Sequence, residues 1–428
     1  MMTYDEAVKY ILDIPRFTKK NDAQHTRTFL EYLGNPQEKC RVLHVAGTNG
    51  KGSVCAYLDA MLRAEGKKTG RFTSPHLVKI NERIAVDGIP VSDDLFCEAF
   101  GDTYAQVKRM EEKGLSHPTF FEFLFGMAMT VFAREGVEYA VLETGLGGRM
   151  DATTAVDRPE ACVITSIGMD HMQYLGNTLA EIAGEKAGII REGVPVFFAE
   201  TCPESDSVIE KTAAARHCFC KKIGKDAYEI LGIENKRIAF SCANAYYGNT
   251  TWTLNNIALC QPGNAMLAME TMRYLFGDEG HRDRWREALA EVKWEGRMEE
   301  ILPDIYIDGA HNISAVEAFV ESVPKDGRGN IVLFSAVKDK DYRKMISCLC
   351  SRMDADLYIV TRIRDGRAAD AEELGRIFRE HTDKPVMVIT DLPEALGYAR
   401  QNRNGRRVWC LGSLYLTGMI KELIREDA

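Results

Sequence analysis

The sequence lacks any apolar run long enough to cross a membrane. Its most apolar window extends only from Phe120 to Phe132 and contains Glu122, whereas a bilayer-spanning helix needs roughly 20 apolar residues. The first residues mix acids and bases and have neither the apolar core nor the small-residue cleavage site of a secretory leader. We therefore expect a cytoplasmic protein with no membrane partner, in which Phe120 to Phe132 forms a buried helix.

An excess of positive charge is also missing. The 428 residues carry a formal net charge of -9 at pH 7, which argues against a broad electrostatic surface for nucleic acid. We expect no nucleic-acid partner. Any anion that the protein binds must be held by a local group of residues.

The cysteines lack the pairing typical of metal sites. Twelve of them are scattered along the chain, and neither Cys218 with Cys220 nor Cys348 with Cys350 has the spacing of a zinc site. Disulfides stabilise mainly small secreted domains, and this chain is long. We expect reduced thiols.

Internal repeats and low-complexity tracts are not apparent, and short β-branched runs alternate with longer helical periods. That alternation predicts parallel strands joined by helices, and the length predicts two domains. The strands predicted in the first domain are Arg41–Ala46, Tyr139–Glu143, Ala161–Ile167 and Pro195–Glu200. Those predicted in the second are Ile305–Ile307, Ile331–Phe334, Leu357–Thr361, Val386–Ile389 and Val408–Leu411.

A change of character between Lys222 and Leu259 interrupts this pattern. Tyr, Thr, Asn and Gly alternate there without a helical period, which predicts a small antiparallel sheet. The predicted fold is therefore α/β. It has an N-terminal doubly wound P-loop ATPase-type domain over residues 1–296, with the small sheet appended, and a C-terminal Rossmann-like α/β domain over residues 297–428.

A glycine-rich turn follows the first predicted strand and precedes a helix. Backbone N–H groups and the helix dipole at such a turn favour phosphate. Lys51 can neutralise phosphate charge, and the Ser53 hydroxyl can bind Mg²⁺ or phosphate. Val45 stands where the usual Walker A motif has its first glycine, so the loop is a shortened variant. Its predicted nucleotide-binding residues are Gly47, Thr48, Asn49, Gly50, Lys51, Gly52 and Ser53.

Two polar side chains follow other predicted strands. Glu143 ends the strand that begins at Tyr139, and His171 follows the strand that begins at Ala161. Ligands of doubly wound sheets bind beyond the carboxyl ends of the strands. Taking these two strands as neighbours, we predict that Glu143 and His171 meet beside the phosphate loop and bind a metal or substrate.

Lys186 lies in a helix predicted from Thr178 to Ile190. Its spacing alone favours a surface lysine whose ammonium group reaches water. A lysine near an acidic metal site can instead lose its proton.

Several motifs in one order resemble the folylpolyglutamate synthase and dihydrofolate synthase family, a branch of the Mur ligase superfamily. The resemblance covers essentially the whole chain. The motifs are Gly47–Ser53, Thr73–Leu77, Glu82–Ile84, Leu142–Arg149, Asp170–His171, Glu185–Gly188, Gly296–Glu299, Asp308–Asn312, Lys338–Asp341 and Gly412–Leu416. The resemblance implies an ATP-dependent ligase that joins L-glutamate to a folate or to dihydropteroate through an acyl phosphate, acting as a monomer.

The resemblance also implies an active site. The residues that would bind two Mg²⁺ ions are Ser53, Ser74, Glu143, His171 and Lys186, the last as a carbamate. ATP would also contact Asn264, Arg297, Asp308 and His311. The catalytic residues would be Lys51, Glu143, His171, Lys186 and Arg297. The pterin-bearing substrate would lie against Ser74, Pro75, His76, Arg83, Thr119, Phe120, Phe121, Glu122, Met150 and Asp151.

Two alternatives remain open at this stage. Another Mur-type ligase would share the phosphate loop but need not have the Ser74–Leu77 and Glu82–Ile84 segments. A P-loop nucleotide switch or ATPase module would use the loop alone. The segment Thr361–Arg367 lacks the proline-rich form of the family, so no glutamate-binding residue is assigned in the second domain.

Overall fold

The computed structural model describes residues 2–15, 23–248, 250–277 and 280–426. Within these ranges the strands form sheets of eight, six and three strands. The eight-stranded and three-stranded sheets use strands from the first part of the chain, and the six-stranded sheet begins at Glu299.

The largest sheet is mostly parallel. Its strands are β1 Arg41–Ala46, β2 Thr69–Phe72, β3 Ile84–Val86, β4 Ile89–Pro90, β5 Tyr139–Glu143, β6 Ala161–Ile164, β7 Val196–Ala199 and β8 Cys220–Ile223. Their order is β4-β3-β2-β5-β1-β6-β7-β8, with β3 and β4 antiparallel at one edge. Because helices cover both faces, β5 is buried over its whole length.

Strand β1 occupies the centre of this sheet. Val45 pairs with Glu143 of β5 on one side and with Val163 of β6 on the other. The prediction that the strands preceding Glu143 and His171 are neighbours is therefore wrong, since a doubly wound sheet adds later strands on both sides of its first. Both strands still end at the edge that carries the phosphate loop.

The predicted small sheet is present. Its strands are β9 Tyr228–Glu234, β10 Arg237–Cys242 and β11 Trp252–Leu254, all antiparallel in the order β11-β10-β9. Ile238 and Phe240 of β10 are completely buried in a core shared with β1. One face of the small sheet thus packs on the large one.

The six-stranded sheet lies in the C-terminal part of the chain. Its strands are β12 Glu299–Leu302, β13 Ile305–Ile307, β14 Asn330–Phe334, β15 Leu357–Val360, β16 Val386–Val388 and β17 Arg407–Leu411. Their order is β12-β13-β17-β14-β15-β16, and only β12 is antiparallel to its neighbour. Sequence patterning missed β12 because it is half charged and only partly buried. The predicted α/β fold class is confirmed.

Helices cover both sheets. In the first part they are α1 Tyr4–Asp13, α2 Ala23–Tyr32, α3 Lys51–Ala64, α4 Asp93–Glu112, α5 Phe120–Glu135, α6 Met172–Leu175, α7 Leu179–Lys186, α8 Pro203–Ala215, α9 Gln261–Phe276 and α10 Arg282–Glu291. In the second they are α11 Ile313–Ser322, α12 Tyr342–Arg352, α13 Ala371–His381, α14 Leu392–Gln401 and α15 Leu414–Glu426. Short 3₁₀ turns are Pro36–Lys39, Ile80–Arg83, Ala152–Ala155, Ala187–Ile189, Lys225–Ala227 and Ala245–Tyr247.

Helix α5 contains the most apolar window of the sequence and is buried, as predicted. Thr119 and Glu122 form a capping box at its start, and Gly136, with a positive φ of 66°, ends it. The described residues contain no helix long and apolar enough to span a bilayer. All twelve cysteines are free thiols.

We expect the aromatic core around α5 to dominate the stability of the first part. Phe123 is fully buried against the rings of Tyr10, Phe100 and His117. Phe123→Ala should therefore lower the free energy of unfolding by about 3–5 kcal/mol, measured by urea denaturation. The control Phe219→Ala removes a ring that is 49% exposed and should cost less. Equal losses would contradict this account.

Candidate active site

The phosphate loop connects the end of β1 to the start of α3. Gly50 caps α3 with a φ of 90°, and Gly47 has a φ of 147°. A Cβ atom on Gly47 would overlap the Thr165 side chain, and one on Gly50 would lie 2.5 Å from Asn264 Oδ1. Glycine is therefore required at both positions, and the first N–H groups of α3 face the loop as an anion-binding terminus.

Lys51 folds back over this loop. Its Nζ donates to the carbonyl oxygens of Gly47 and Thr48, both at 3.2 Å, and lies 3.9 Å from Glu143 Oε1. The ammonium group is thus held where an anion on the loop would need neutralising.

Glu143 ends β5 beside the loop and is only 4% exposed. Its Oε2 accepts a hydrogen bond from the Ser74 backbone N–H at 3.1 Å. Burial raises the pKa of the Glu143 carboxyl, and the nearby Lys51 opposes that effect. The carboxylate keeps acceptor capacity toward the cleft that these residues line.

Asp170 and His171 follow β6 on the other side of β1. Burial opposes ionisation of Asp170, but Lys340, His171 and His311 together lower its pKa well below the usual range. Lys340 Nζ is ion-paired with Asp170 Oδ1 and lies 3.4 Å from His171 Nε2. Burial and Lys340 lower the pKa of His171 to about 4. The imidazole is therefore neutral at pH 7 and can act as a metal ligand or hydrogen-bonding group.

Lys186 lies beneath the loop. Its Nζ donates to Gly47 O at 2.7 Å, and the side chain is 4% exposed. The surface position that its spacing favours is wrong because α7 ends against the core of Ile182, Ala183 and Ala187. Burial and the neighbouring Lys51 lower the pKa of Lys186 to about 7. A substantial neutral fraction exists at pH 7.

Side-chain amides join the phosphate loop to the C-terminal part of the chain. Asn49 Nδ2 donates to Asn312 Oδ1 at 3.1 Å and to Ser314 Oγ at 2.9 Å, and Asn312 Nδ2 donates back to Asn49 Oδ1 at 3.0 Å. Asn312 Nδ2 also donates to Asp170 Oδ2 at 3.0 Å. We call Asn49, Asn312, Ser314, Asp170 and Lys340 the amide latch.

Basic side chains of the C-terminal part of the chain face the loop across the same cleft. Arg297, His311, Lys340 and Arg367 line it together with Ser413 and Tyr415. Arg367 donates to the Tyr415 hydroxyl and pairs with Asp365. Burial and Lys340 lower the pKa of His311 to about 3, so that its ring is neutral. The cleft can therefore bind anions from both sides.

The structure brings together many of the predicted residues. The cleft-lining ones are Gly47, Thr48, Asn49, Gly50, Lys51, Gly52, Ser74, Pro75, Glu143, His171, Lys186, Arg297 and His311. Sequence reasoning did not assign Asp170, Asn312, Lys340, Arg367, Ser413 and Tyr415 to the site. All of these except Arg367 lie in the family motifs given above. Their place in those motifs could have identified them as candidate site residues.

Three predicted nucleotide or metal residues lie behind the cleft surface. Ser53 is 2% exposed, and its hydroxyl accepts from Gln261 Nε2 at 3.3 Å. Asn264 contacts Gly50 from α9. Asp308 accepts from the backbone N–H groups of Met298 and Ala310 and is buried next to Arg297. In this conformation these three side chains contact residues at or next to the cleft and do not line it themselves.

The predicted pterin-binding residues form an adjoining cluster. Arg83 Nε donates to His76 Nδ1 at 2.8 Å, and the Arg83 guanidinium lies 5.3 Å from the Phe120 ring centroid. The Phe121 ring is so close to Gly145 that a Cβ there would lie 2.8 Å from it. An aromatic wall thus reaches the glycine turn that borders the cleft.

Other predicted substrate residues have local structural partners. Glu122 accepts from Thr119 N at 2.7 Å and from Thr26 Oγ1 at 2.8 Å. Asp151 Oδ2 accepts from the N–H groups of Gly145 and Leu146, both at 2.9 Å. Met150 is 43% exposed. Asp151 therefore holds the glycine turn in place.

The two parts of the chain that line the cleft match two known protein domains. Residues 93–267 match the Mur ligase middle domain, and residues 296–414 match the Mur ligase glutamate ligase domain. The dihydrofolate synthase/folylpolyglutamate synthase of Bacillus subtilis is 38% identical over 358 residues, which cover 81% of this chain and 82% of that protein. The chain belongs to the folylpolyglutamate synthase and dihydrofolate synthase family.

Solved structures of this family have the same fold. Mycobacterium tuberculosis folylpolyglutamate synthase, solved with ADP and AMPPCP, aligns with a TM-score of 0.86 and 28% identity over 97% of each chain. E. coli FolC, solved with DHPP and ADP, aligns with a TM-score of 0.84 and 26% identity over 100% of this chain and 98% of that one. The family identified from the motifs is confirmed.

The amide latch should couple the stability of the part that carries the phosphate loop to that of the C-terminal part. Asp170 and Lys340 have side chains only 9% and 8% exposed, so removing either partner leaves a buried charge. Asp170→Asn and Lys340→Met should each lower the free energy of unfolding by about 3–5 kcal/mol, and the double variant by less than the sum. Denaturant unfolding of all four proteins measures the coupling.

The control is Lys344→Met, which removes an exposed pair with Asp341 and should cost far less, because exposed ion pairs contribute little to stability. Because the folded-state pKa of Asp170 is lowered, its contribution is fully present above about pH 4 and declines as the pH falls toward the folded-state pKa. Additive single losses would refute the coupling.

Proposed function

We propose that this chain is an ATP-dependent ligase that adds L-glutamate to a folate, to dihydropteroate or to both. The observation that carries the proposal is the cleft itself, where a phosphate loop and the buried Glu143 face Arg297 and Arg367. Membership of the folylpolyglutamate synthase and dihydrofolate synthase family supports the same reaction.

The phosphate loop suits the polyphosphate of ATP. Backbone N–H groups at the start of α3 would hold the phosphate oxygens, and Lys51 would exchange its two carbonyl contacts for the phosphoryl group. Arg297 would stabilise the same charge from the opposite wall. Such positioning and electrostatic stabilisation account for most catalysis of phosphoryl transfer.

The donor set fits magnesium together with phosphate oxygens. Glu143 supplies a buried carboxylate, and the adjacent Thr144 Oγ1 is buried without a hydrogen-bond partner. No group of three His, Cys, Asp or Glu side chains that could hold a metal occurs in the described residues, so phosphate oxygens would complete the shell. Glu143, Ser74 and His171 would hold the ion, which when bound neutralises phosphate charge.

We also propose that Lys186 is carbamylated. Its pKa of about 7 leaves a neutral amine whose nitrogen can attack CO₂ and lose a proton. The product keeps one N–H that can donate to Gly47 O, the present acceptor of Lys186 Nζ. A carbamate would convert a buried cation beside Lys51 into an anion that Lys51 stabilises.

The ligation then proceeds in two steps. A carboxylate oxygen of the pterin substrate attacks the γ-phosphorus of ATP, ADP leaves, and an acyl phosphate forms. The amine nitrogen of glutamate attacks the acyl carbon, loses a proton, and phosphate leaves. Arg367, beside Tyr415 in the second wall, is suited to bind a glutamate carboxylate. The amide latch would keep water from the acyl phosphate by holding the walls together.

The aromatic cluster suits the pterin-bearing part of the substrate. The ring centroids of Phe121 and Phe72 are 5.3 Å apart, Phe121 borders the turn at Gly145, and Phe120 lies against the Arg83 guanidinium. Flat rings stack on such side chains. We further propose a cytoplasmic monomer, since one chain supplies both walls of the cleft and all twelve cysteines are free thiols.

A phosphate-release assay tests the reaction. Release should require ATP, glutamate and either dihydropteroate or tetrahydrofolate, and comparison of the last two identifies the acceptor. Equal release from ATP alone would favour a nucleotide switch over a ligase. Lys51→Ala should lower kcat by about a hundredfold or more, while Lys211→Ala, exposed on α8, should not.

The carbamate is tested by Lys186→Arg. Arginine keeps the positive charge but cannot form the carbamate, so we expect near-complete loss of ligation. In the wild type, ¹³C-labelled CO₂ should give a carbamate resonance whose intensity rises with pH through about 7, as the amine becomes neutral. Retention of most activity in Lys186→Arg would refute the carbamate.

A further inference from the structure

A second cavity of about 310 Å³ lies apart from the cleft and shares none of its lining residues. It is bounded by the C-terminal half of α3, by β2, by the turn at Gly88 and by the end of α10. Its volume is within the lower range of small-molecule sites in proteins.

Cationic side chains from separate elements converge on this cavity. Arg63 comes from α3, Arg71 from β2 and Lys293 from the segment after α10. Asp59 is fully buried and pairs with both guanidinium groups, at 3.5 Å from Arg63 and 3.1 Å from Arg71. One carboxylate thus serves two arginines, and Lys293 adds a third positive charge.

The other acid that lines the cavity, Glu291, does not neutralise the excess of positive charge. Glu291 is exposed and pairs with Arg237 at 3.3 Å. Arg71 has a side chain only 12% exposed, and its Nε is buried with no hydrogen-bond partner. A buried guanidinium nitrogen without an acceptor is costly. Because Nε is enclosed, an anion in the cavity would contact the other guanidinium nitrogens of Arg71, which lines it.

The Arg71 guanidinium is also oriented by an aromatic ring. It lies 5.1 Å from the ring centroid of Trp294. A cation–π contact of this kind restrains the guanidinium, whose fork matches the paired oxygens of a carboxylate or phosphate. The site is therefore preorganised for an oxyanion.

We propose that this cavity, which we call the arginine cavity, binds a small oxyanion of the phosphate or carboxylate type. Its contacts come from Arg63, Arg71 and Lys293, while Asp59 holds both guanidiniums in place. The site is separate from the one in which ligation occurs. Two sources share the required chemistry, namely free phosphate and the carboxylates of an oligoglutamate chain.

Binding should be measured by calorimetry at fixed ionic strength, with inorganic phosphate and γ-linked triglutamate as separate probes. The Lys51→Ala protein is the background, because it weakens phosphate binding in the cleft. Arg63→Gln and Lys293→Gln test the cavity, since both side chains reach solvent. Arg71 is left intact because its removal would leave Asp59 with a weaker partner in the core. Lys211→Gln is the control for loss of one surface charge.

At least one probe should bind, with affinity reduced about tenfold in each cavity variant and unchanged in the control. The tighter probe identifies the source of the anion. Selenate soaked into crystals should give an anomalous peak at Arg71. The proposal is overturned if neither probe binds, if Lys211→Gln weakens binding as much as the cavity variants, or if the peak lies elsewhere.

Discussion

The parallel pairing of β1 with β5 and β6 is the constraint on which the active site depends. It fixes Val45 beside Glu143 and Val163, so the phosphate loop, Glu143 and the Asp170–His171 turn emerge at one sheet edge. The hydrogen bond from Lys186 Nζ to Gly47 O then supports the loop from below. A shift in this register would separate Lys51, Glu143 and Asp170, which follow or end these three strands.

The C-terminal part of the chain contributes charged side chains to the cleft that the phosphate loop lines. The amide latch places Lys340 against Asp170. Burial, and after it the charge of Lys340, keeps His171 and His311 neutral at pH 7, while Asp170 opposes this effect. Arg297 and Arg367 line the same cleft as Glu143 and Asp170, which are largely buried and ion-paired with Lys51 and Lys340, and as the exposed Asp339. The two sheets together create an anion site that neither has alone.

The phosphate loop and the buried strands could be predicted from the sequence, because each is determined by residues that are close together in the chain. The loop from Gly47 to Ser53 has strict steric needs, and β5 shows the apolar run of a buried strand. The central position of β1 in the sheet could not be predicted from the sequence, because strand order depends on contacts between residues that are distant in the chain. For the same reason patterning could not reveal that Asp151 holds the turn at Gly145, or that Arg367 lines the cleft.

The ring of Trp294 lies against the first turn of α3, where a Cβ on Gly52 would be 2.5 Å from it, and it also contacts the Arg71 guanidinium. The three other tryptophans, Trp252, Trp285 and Trp409, are fully buried. Indole emission depends on the polarity and charge around the ring. The part of the intrinsic fluorescence that Trp294→Phe removes thus gives an optical report on both the phosphate loop and the arginine cavity, without any attached dye.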